Sequence, residues 1–214
     1  MKNLCLDIGN VLCEVKFDNF INLLSSRLNL SYNEVWNFLN RVQKIHDLGI
    51  ASLKDELQDH FKIKSESLTE ELIESWNQCL IPNWEVINRM QNIGQNLNIE
   101  IALLSNIGLE HCELFNKKVK FDTAIKHFSC HVGARKPTLL YYQSFLLQYP
   151  QFKGATYVDD NLDNLAAGKK MGFDSIYFNL TDKKEIPAPN SRSTDILLAD
   201  TLENIIKDTM KGLS

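Results

Sequence analysis

The sequence predicts an α/β fold in which a doubly wound parallel sheet carries an inserted block of helices. Three observations lead to this prediction: a short apolar strand that ends in a Gly-Asn turn, a long stretch of helical periodicity, and a regular alternation of strand and helix patterns after it. Strands that alternate with helices are joined by right-handed crossovers, which cover both faces of a parallel sheet with helices.

The first half of the chain contains one strand region and then helices. Residues 3–7 and the segment VLCEV (11–15) are apolar and β-inclined around Gly9-Asn10. Between 17 and about 97, apolar residues recur at three- and four-residue spacings, and several segments start after Ser, Thr, Asp or Asn suited to capping. We expect a helical block with no strand in it.

The second half alternates between the two types of element. The segment IEIALLS (99–105) is a continuous apolar run of strand length, as in a buried parallel strand. The elements predicted after it are a helix over 136–149 with Pro137 in its first turn, a strand over 154–160, a helix over 161–172 that Gly172 ends, a strand over 175–178 and an amphipathic helix over 200–211. We expect residues 179–194 to form an exposed connection between the last strand and the last helix.

The composition is that of a globular protein with one large domain, or a core with a smaller appended unit. Of 214 residues, 44% are hydrophobic and 23% charged, and the net charge is -4 with the basic residues scattered. This disfavours a nucleic-acid partner and an anionic membrane surface. Because the start of the chain lacks a signal-peptide core and no apolar run of about 18 residues follows, we expect a cytoplasmic protein. The oligomeric state stays open.

Polar residues whose side chains can bind ligands or take part in catalysis lie at the predicted strand ends. In open parallel sheets, ligands bind outside the carboxyl ends of the strands. Two adjacent carboxylates at a buried strand end repel one another unless a cation or hydrogen-bond donors offset the repulsion. The candidates at this edge are Asp7, Ser105, Asn106, Lys136, Asp159 and Asp160.

A hard divalent cation suits this group of carboxylates. Mg²⁺ prefers oxygen ligands and is usually held by one or two carboxylates together with waters and a substrate phosphate. Asp7 is then suited to attack phosphorus, because a carboxylate is ionised at neutral pH and needs no base to activate it. Lys136 and the Ser105 hydroxyl suit the neutralisation and binding of phosphate oxygens.

The motifs resemble those of the haloacid dehalogenase (HAD) superfamily of hydrolases. Four of them occur in the family's order along nearly the whole chain: LCLDIGNV (4–11), ALLSN (102–106), GARKP (133–137) and YVDDNLDN (157–164). The D-x-G-N-V form is similar to a subgroup that includes glucose-1-phosphate phosphatases. The resemblance extends to the segments HDLGIASLKDE and SWNQCLIPNWEVINRM.

The resemblance implies a role for each site residue. Asp7 is implied as nucleophile, Lys136 as the cation between nucleophile and phosphate, and Ser105 and Asn106 as phosphate-binding residues. Mg²⁺ is the implied cofactor, and its implied ligands are Asp7, the Gly9 carbonyl, Asp159 and Asp160, of which Asp160 is the preferred direct ligand. Asp163 fits an outer or capping position. The implied substrate is a small phosphorylated metabolite.

The resemblance also implies a Rossmann-like core with an inserted helical cap. The core comprises residues 1–13 and 86–214, and the cap comprises 14–85. Such caps close over the site, exclude water and select the substrate. Candidate contacts from the cap are Trp36, His46, Asp47 and Trp76, although we expect both tryptophans to pack in the helical core.

Gly9 departs from the family pattern. Most phosphatases of the family carry there a second Asp, which protonates the leaving oxygen, and such help is worth about 10²–10⁴ in rate. Three interpretations stay open: a substrate with an acidic leaving group, such as an anomeric sugar phosphate, an acyl phosphate or an aryl phosphate; a proton from His46 or Asp47; or reduced catalysis.

Two other functions are alternatives. One is a catalytically reduced protein that binds a phosphorylated ligand or a protein partner, and the other is a 2-haloacid dehalogenase, whose relatives usually carry an aromatic residue in place of Gly9. The acidic pair argues against the second. The five cysteines include no pair at the spacing of a zinc knuckle, so we expect reduced, packed thiols. We also expect His60, His111, His127 and His131 not to bind metal.

Overall fold

The computed structural model describes residues 3–121, 124–181 and 194–211. The strands are β1 (Leu4–Leu6), β2 (Cys13–Val15), β3 (Leu80–Pro82), β4 (Ile101–Ser105), β5 (Ile125–Phe128), β6 (Thr156–Asp159) and β7 (Asp174–Tyr177). The helices are α1 (Asp18–Leu28), α2 (Tyr32–Asp47), α3 (Leu53–Phe61), α4 (Glu66–Asn77), α5 (Trp84–Leu97), α6 (Leu109–Lys118), α7 (Ser129–Val132), α8 (Leu139–Gln148), α9 (Leu162–Lys170) and α10 (Thr194–Lys211), with a 3₁₀ turn at Pro150–Phe152.

A parallel sheet forms the core and confirms the predicted Rossmann-like α/β class. Within the described residues its strand order is β5-β4-β1-β6-β7. Leu6 of β1 pairs with Leu103 on one side and with Val158 on the other. The chain builds outward from β1 through β4 and β5 and then crosses to β6 and β7 on the opposite side. This reversal of strand order opens a crevice at the carboxyl end of β1.

The central strands are buried on both faces because their apolar side chains alternate between two cores. Leu4 and Leu6 point to one face, where they pack in a cluster with Met90 of α5. Cys5 points to the other face and packs with Tyr141 of α8 and the residues around it. Burial of both faces explains why these strands have continuous apolar sequences rather than alternating ones.

Helices α1 to α4 form an inserted unit with its own apolar core. Its cluster includes Phe20, Val35, Leu57 and Leu72, all fully or almost fully buried. Serines that precede α2, α3 and α4 accept hydrogen bonds from the first turn of each helix, and the first two form complete capping boxes. The amphipathic pattern and the caps together explain why the periodicity predicted this block well.

The inserted unit is joined to the core through an antiparallel pair of strands. Val15 of β2 pairs with Leu80 of β3, and Cys13 pairs with Pro82. The prediction of no strand between 17 and 97 is therefore wrong for Leu80–Pro82. Three residues between two helices are too short to show a period of two, so the pattern could not separate them from a loop.

Other differences concern boundaries and exposure. Strand β5 and helix α6 were not predicted, Pro137 precedes α8 instead of lying in its first turn, and α10 begins at Thr194. Trp36 is 41% exposed and stacks on Tyr32, so the expectation that it packs in the helical core is wrong, whereas Trp76 is 4% exposed. Most of the predicted connection 179–194 lies outside the described residues. In the described ranges no helix has the length and hydropathy to cross a membrane.

Candidate active site

A cavity of about 240 Å³ lies between the carboxyl edge of the sheet and the inserted unit. The core contributes the residues that follow β1, β4 and β6, and the inserted unit contributes the end of α2 and part of α4. The sequence-predicted residues that line the cavity are Asp7, Gly9, His46, Asp47, Ser105, Asn106 and Asp160. Lys136 and Asp159 lie directly behind this lining and contact it.

Asp7 is the first residue after β1, and its two carboxylate oxygens differ in environment. Oδ1 accepts a hydrogen bond of 2.7 Å from the Ile8 backbone N–H and lies 2.9 Å from Lys136 Nζ. Oδ2 has no protein hydrogen-bond partner among the described residues. Burial and the nearby carboxylates of Asp159 and Asp160 raise the pKa of Asp7 to about 7 against the opposing charge of Lys136. In the metal-free protein Asp7 is therefore only partly ionised at neutral pH, which differs from the expectation of a fully ionised nucleophile.

Lys136 is a fully buried cation between two carboxylates. Its Nζ lies 2.6 Å from Asp159 Oδ2, 2.9 Å from Asp7 Oδ1 and 2.8 Å from the Leu104 carbonyl oxygen. Burial alone lowers the pKa of a lysine, but the two carboxylates outweigh it and raise the pKa of Lys136 above its ordinary value. The side chain therefore stays charged across the physiological pH range.

Asp159 is completely buried and its oxygens are fully engaged by the protein. Oδ1 accepts from the Asn161 backbone N–H at 2.8 Å and from the Asn164 side-chain amide at 3.0 Å. Oδ2 accepts from Lys136 and from the Tyr157 hydroxyl, in addition to a longer contact with Asn164. These contacts orient Asp159 toward the lysine and leave it little freedom to bind a ligand from the cavity.

Asp160 is the more accessible member of the acidic pair. It is half-buried, and its Oδ2 accepts a hydrogen bond of 3.0 Å from the Asn10 side chain. Burial and the neighbouring Asp159 charge raise the pKa of Asp160, although the contact with Asn10 opposes this rise. Oxygens of Asp7, Asp159 and Asp160 lie within 4.8 Å of one another. Such an all-oxygen set with surplus negative charge fits Mg²⁺ by the chemistry of its donors.

Ser105, Asn106 and Gly9 complete the carboxyl edge. The Ser105 hydroxyl has no protein partner in the described part of the chain, so it is available to a ligand in the cavity. The Asn106 amide makes two hydrogen bonds with the Lys136 backbone, at 2.8 and 2.9 Å, and so fixes the lysine. A Cβ at Gly9 would meet one atom within 4 Å, Val15 Cγ2 at 3.5 Å, so the position has room for a side chain.

His46 and Asp47 end α2, and each pairs with a residue of the core. His46 Nε2 contacts a Glu110 carboxylate oxygen, and Asp47 lies 2.8 Å from Arg135. Burial raises the pKa of Asp47 to about 6 against the opposing charge of Arg135. A Cβ at Gly108 would lie about 2.0 Å from His46 Nδ1, so only glycine permits this position of the imidazole.

Aromatic rings form the wall of the cavity on the side of the inserted unit. Phe17 stacks on Trp76 with ring centroids 5.3 Å apart, and Trp76 stacks on His111 at 4.8 Å. His46 meets Trp76 edge-on at 5.7 Å. Burial lowers the pKa of His111 to about 4, so this ring is neutral at pH 7. One side of the cavity is therefore acidic, and the other is formed largely by aromatic rings.

Several residues that shape the site were not predicted from the sequence. Asn10 positions Asp160, Asn164 positions Asp159, and Glu110 and Arg135 hold the end of α2. Asn10 and Asn164 lie inside the quoted motifs, so proximity to the motif aspartates was the available signal. No sequence signal joins Glu110 or Arg135 to α2.

Asp163, expected in an outer or capping position, is exposed in the first turn of α9. The capping residue of that helix is Asn161, whose side chain accepts hydrogen bonds from the backbone N–H groups of Asp163 and Asn164. Asp163 therefore does not cap α9. Its negative charge in the first turn interacts favourably with the helix dipole.

Solved structures of HAD proteins share this fold. The chain aligns with a HAD family enzyme from Bacteroides thetaiotaomicron over 86% of its own length and 96% of the other chain, with a TM-score of 0.74 and 16% identity. The wild-type form of that enzyme was also solved in complex with magnesium and inorganic phosphate, and this structure aligns with a TM-score of 0.72 and 15% identity. At such identities the likeness is one of fold.

A second neighbour is a predicted HAD-like family hydrolase from Porphyromonas gingivalis, with a TM-score of 0.67 and 15% identity over 86% of this chain and 93% of that one. In sequence, 99 residues are 32% identical to drimenol cyclase drtB from Aspergillus calidoustus, which is 44% of this chain. The chain spans about a fifth (19%) of the length of that curated relative. No protein-family model matches the chain.

Proposed function

We propose that this protein is a Mg²⁺-dependent phosphatase that hydrolyses a small phosphorylated metabolite through an aspartyl-phosphate intermediate. One observation carries the proposal: the Asp7 carboxylate is held by Lys136 and a backbone N–H through one oxygen, while its other oxygen has no protein partner in the described residues. A carboxylate oriented in this way beside further carboxylates suits both attack on phosphorus and metal binding.

Asp7 and Asp160, with the Gly9 carbonyl, would hold the metal. Asp160 is preferred over Asp159 because the oxygens of Asp159 already accept hydrogen bonds from buried groups. Bound Mg²⁺ supplies Lewis-acid stabilisation of charge on the phosphoryl oxygens. Asp159 then acts through Lys136 by keeping the ammonium group in place.

The other residues at this edge suit binding of the phosphoryl group. The Ser105 hydroxyl is a donor without a protein partner in the described ranges, and Ser105 is the last residue of β4. Lys136 supplies the buried positive charge. Because the Asn106 amide is engaged by the Lys136 backbone, we assign Asn106 the positioning of the lysine in addition to any backbone contact with phosphate.

The reaction proceeds in two steps on these residues. In the first, an Asp7 oxygen forms a bond to phosphorus as the bond from phosphorus to the leaving oxygen breaks. The leaving oxygen departs with the electron pair of that bond and takes up a proton. In the second step, water attacks the phosphorus of the aspartyl phosphate, which releases inorganic phosphate and restores Asp7.

The missing side chain at Gly9 directs the substrate proposal. Without a proton donor at that position, the enzyme favours a substrate whose leaving group is already acidic, such as a sugar 1-phosphate, an acyl phosphate or an aryl phosphate. The resemblance to the D-x-G-N-V subgroup agrees with a sugar 1-phosphate. His46 is the alternative proton donor, since it lines the cavity and Glu110 orients its imidazole.

The inserted unit is proposed to act as a cap, with domain bounds of 14–85 for the cap and 1–13 and 86–214 for the core. Its aromatic wall faces the acidic edge across a cavity of about 240 Å³, slightly below the range of about 300–1,000 Å³ that is common for ligand sites. This size supports a small metabolite as substrate. The buried Trp76 Nε1 has no partner in the described residues and is a candidate donor to it.

The direct test is release of phosphate from an aryl phosphate with and without Mg²⁺. We expect turnover that depends on Mg²⁺ and is absent in Asp7→Asn, which keeps the shape of the side chain. A screen of phosphorylated metabolites with the same pair of proteins then identifies the substrate. Equal phosphate release by the wild type and Asp7→Asn contradicts the proposal.

A second test concerns the leaving group. Aryl and anomeric phosphates should be cleaved at least about 10²-fold faster than the 6-phosphate of the same sugar, because general acid help is worth about 10²–10⁴. Gly9→Asp should narrow this difference, and the space around the Gly9 Cβ position admits the substitution. Equal rates for all substrates in the wild type would show that leaving-group acidity is not the determinant.

The alternative functions give different results in the same assays. A catalytically reduced protein would bind Mg²⁺ and phosphate in calorimetry without turnover of any phosphate ester. A 2-haloacid dehalogenase would release halide without Mg²⁺. The acidic pair beside Asp7 argues against the dehalogenase, because that reaction needs no metal and would leave the surplus negative charge without a counter-ion.

A further inference from the structure

A second cluster of metal-ligating side chains lies outside the acidic edge. Cys112 on α6 and Cys130 and His131 on α7 bring two sulfurs and an imidazole nitrogen within 4.8 Å of one another. None of the three lines the cavity described above. The sequence predicted packed thiols and histidines that do not bind metal, and it did not indicate that these three side chains meet. The three residues lie on two different helices, so the sequence shows no short spacing of the kind that is typical of a metal-binding motif.

We propose that Cys112, Cys130 and His131 form a binding site for a thiophilic divalent cation, with Zn²⁺ as the expected occupant. Two thiolates and an imidazole without a carboxylate form a donor set that selects zinc over magnesium. The acidic edge has the opposite preference, since its donors are all oxygens. The chain would then hold two chemically distinct cation sites.

The spacing of the ligand atoms suits tetrahedral coordination. With Zn–S of about 2.3 Å and Zn–N of about 2.0–2.1 Å, a tetrahedral site places its sulfur and nitrogen ligands about 3.5 Å apart. Cys112 Sγ and His131 Nε2 are 3.7 Å apart in the structure. A cation would therefore require only a small shift of these side chains.

Asn116 supplies an outer contact of the kind that supports a thiolate ligand. It lies one turn after Cys112 on α6, and its Nδ2 donates to Cys112 Sγ at 3.5 Å. Its Oδ1 accepts from Lys126 Nζ at 2.7 Å, which fixes the orientation of the amide with its N–H toward the sulfur. Outer contacts of this type typically contribute about 10–100-fold to metal affinity.

Burial decreases across the cluster and leaves a path for the cation. Cys112 is 2% exposed, Cys130 is half-buried and His131 is exposed. The exposed imidazole side admits a water as fourth ligand. On binding, each thiol releases its proton to solvent and the histidine binds through its neutral form, so affinity falls at low pH.

The site lies directly below the inserted unit. A Cβ at Gly49, just after α2, would lie 2.3 Å from the Cys130 carbonyl oxygen, so the two backbones are in close contact. Helix α6 also carries Glu110, which pairs with His46. A cation that joins α6 to α7 would therefore stiffen the surface on which the end of α2 rests.

The experiment uses the full chain, reduced and free of metal. Zn²⁺ is titrated in competition with a chromophoric chelator, and Co²⁺ is used as a spectroscopic probe of thiolate ligation. We expect one tight Zn²⁺ per chain, a Co²⁺–thiolate charge-transfer band, and a rise in melting temperature with Zn²⁺. Loss of the exposed ligand in His131→Ala should weaken binding without affecting folding, and Cys112→Ser should abolish the charge-transfer band.

Two matched controls locate the effect. Cys79→Ser removes a buried thiol outside the cluster, and Asp160→Asn alters the acidic edge; both should retain the Zn²⁺ affinity of the wild type. Asn116→Leu should weaken binding about 10–100-fold. Absence of the Co²⁺–thiolate band in the reduced wild type, or equal Zn²⁺ affinity in His131→Ala, overturns the proposal. So does a Cys112–Cys130 disulfide in a chain that, once reduced, binds no Zn²⁺.

Discussion

Asn10 donates a hydrogen bond of 3.0 Å from its side-chain amide to the carboxylate of Asp160, 150 positions further along the chain. Asn10 adopts a left-handed backbone conformation with φ of 51°, and its Oδ1 also accepts from the Val15 backbone N–H. The turn after β1 thereby orients a carboxylate that follows β6. The proposed metal ligands on two strands are thus linked through one asparagine.

The first prediction concerns the hydrogen bond between Asn10 and Asp160. Asn10→Gly keeps a residue that tolerates positive φ but deletes the amide, so Asp160 loses its donor. We expect Mg²⁺ affinity to fall about 10–100-fold, as for other outer contacts to metal ligands, measured by calorimetry. Asn29→Gly is the matched control, because Asn29 also has a positive φ of 53° and caps α1 away from the site. Equal Mg²⁺ affinity in both variants contradicts the assigned role.

The second prediction concerns the buried lysine. Lys136→Met keeps most of the volume but leaves the carboxylates of Asp7 and Asp159 without a counter-charge. Breaking a buried ion pair from one side costs about 3–5 kcal/mol, so we expect a loss of this size in the free energy of unfolding in urea.

Two comparisons test the electrostatic cause of that loss. Part of the stability should return at acidic pH, where the carboxylates are protonated. Lys54→Met is the surface control, since its pair with Glu66 is exposed and should matter by less than about 1 kcal/mol. A loss for Lys136→Met that does not change with pH would assign it to packing instead of charge.

The third prediction uses the close approach of Gly108 and His46. Gly108→Ala would place a Cβ 1.9 Å from His46 Cε1, so the imidazole must leave its position beside Glu110. We expect destabilisation of about 1–3 kcal/mol and an altered substrate profile. In a His46→Ala background the same change should cost much less, because the competing ring is absent. Additive effects in the double variant would show that the two residues are not coupled.

The fourth prediction is a pH dependence of metal binding. Because the pKa of Asp7 is raised to about 7, the metal-free site holds a proton below that pH. Apparent Mg²⁺ affinity should rise about tenfold per pH unit up to pH 7 and level off above it, since the cation must displace the proton. Calorimetry between pH 5.5 and 8.5 measures this slope, and the raised pKa of Asp160 adds to it. Asp7→Asn should flatten the profile.

The same titration affects stability in the opposite direction. The unfolded chain releases the Asp7 proton near pH 4, whereas the folded metal-free protein keeps it until about pH 7. The folded state therefore binds more protons in this window, and the contribution of Asp7 to stability decreases as pH rises from 4 to 7. Thermal melts of the metal-free protein should show this decrease, and saturating Mg²⁺ should reduce it. Asp7→Asn lacks this contribution, so its melting temperature should fall less, or rise more, between pH 4 and 7 than that of the wild type. Identical pH profiles of the two proteins contradict the assignment.

Local sequence features predicted the central part of the site. Asp7, Ser105 and the pair Asp159-Asp160 each follow an apolar run directly, so their position at the carboxyl edge could be inferred from strand ends alone. The parallel sheet was predictable for the same reason. The helical block was predictable because its apolar period and its capping serines agree.

Contacts between distant segments could not be predicted. His46 and Glu110 lie 64 positions apart, and no pattern in either helix indicates that they meet. Tyr157 and Asn164 donate hydrogen bonds to Asp159, which leaves Asp160 as the more accessible carboxylate. These side chains reach Asp159 only in the folded chain. Strands β3 and β5 are too short for their period to be read. These omissions share one cause: tertiary packing selects the partner.

The antiparallel pair of β2 and β3 gives the protein a modular seam. Val15 pairs with Leu80, and the Lys16 backbone N–H donates to the Cys79 carbonyl oxygen at 2.9 Å. The first and last residues of the helical unit therefore lie side by side on paired strands. They are close enough for a two-residue turn such as Asn-Gly to join them directly. A different insert could therefore be grafted between Lys16 and Cys79 without altering the register of the parallel sheet. Under the proposed function, such an exchange would change the choice of substrate and preserve the chemistry.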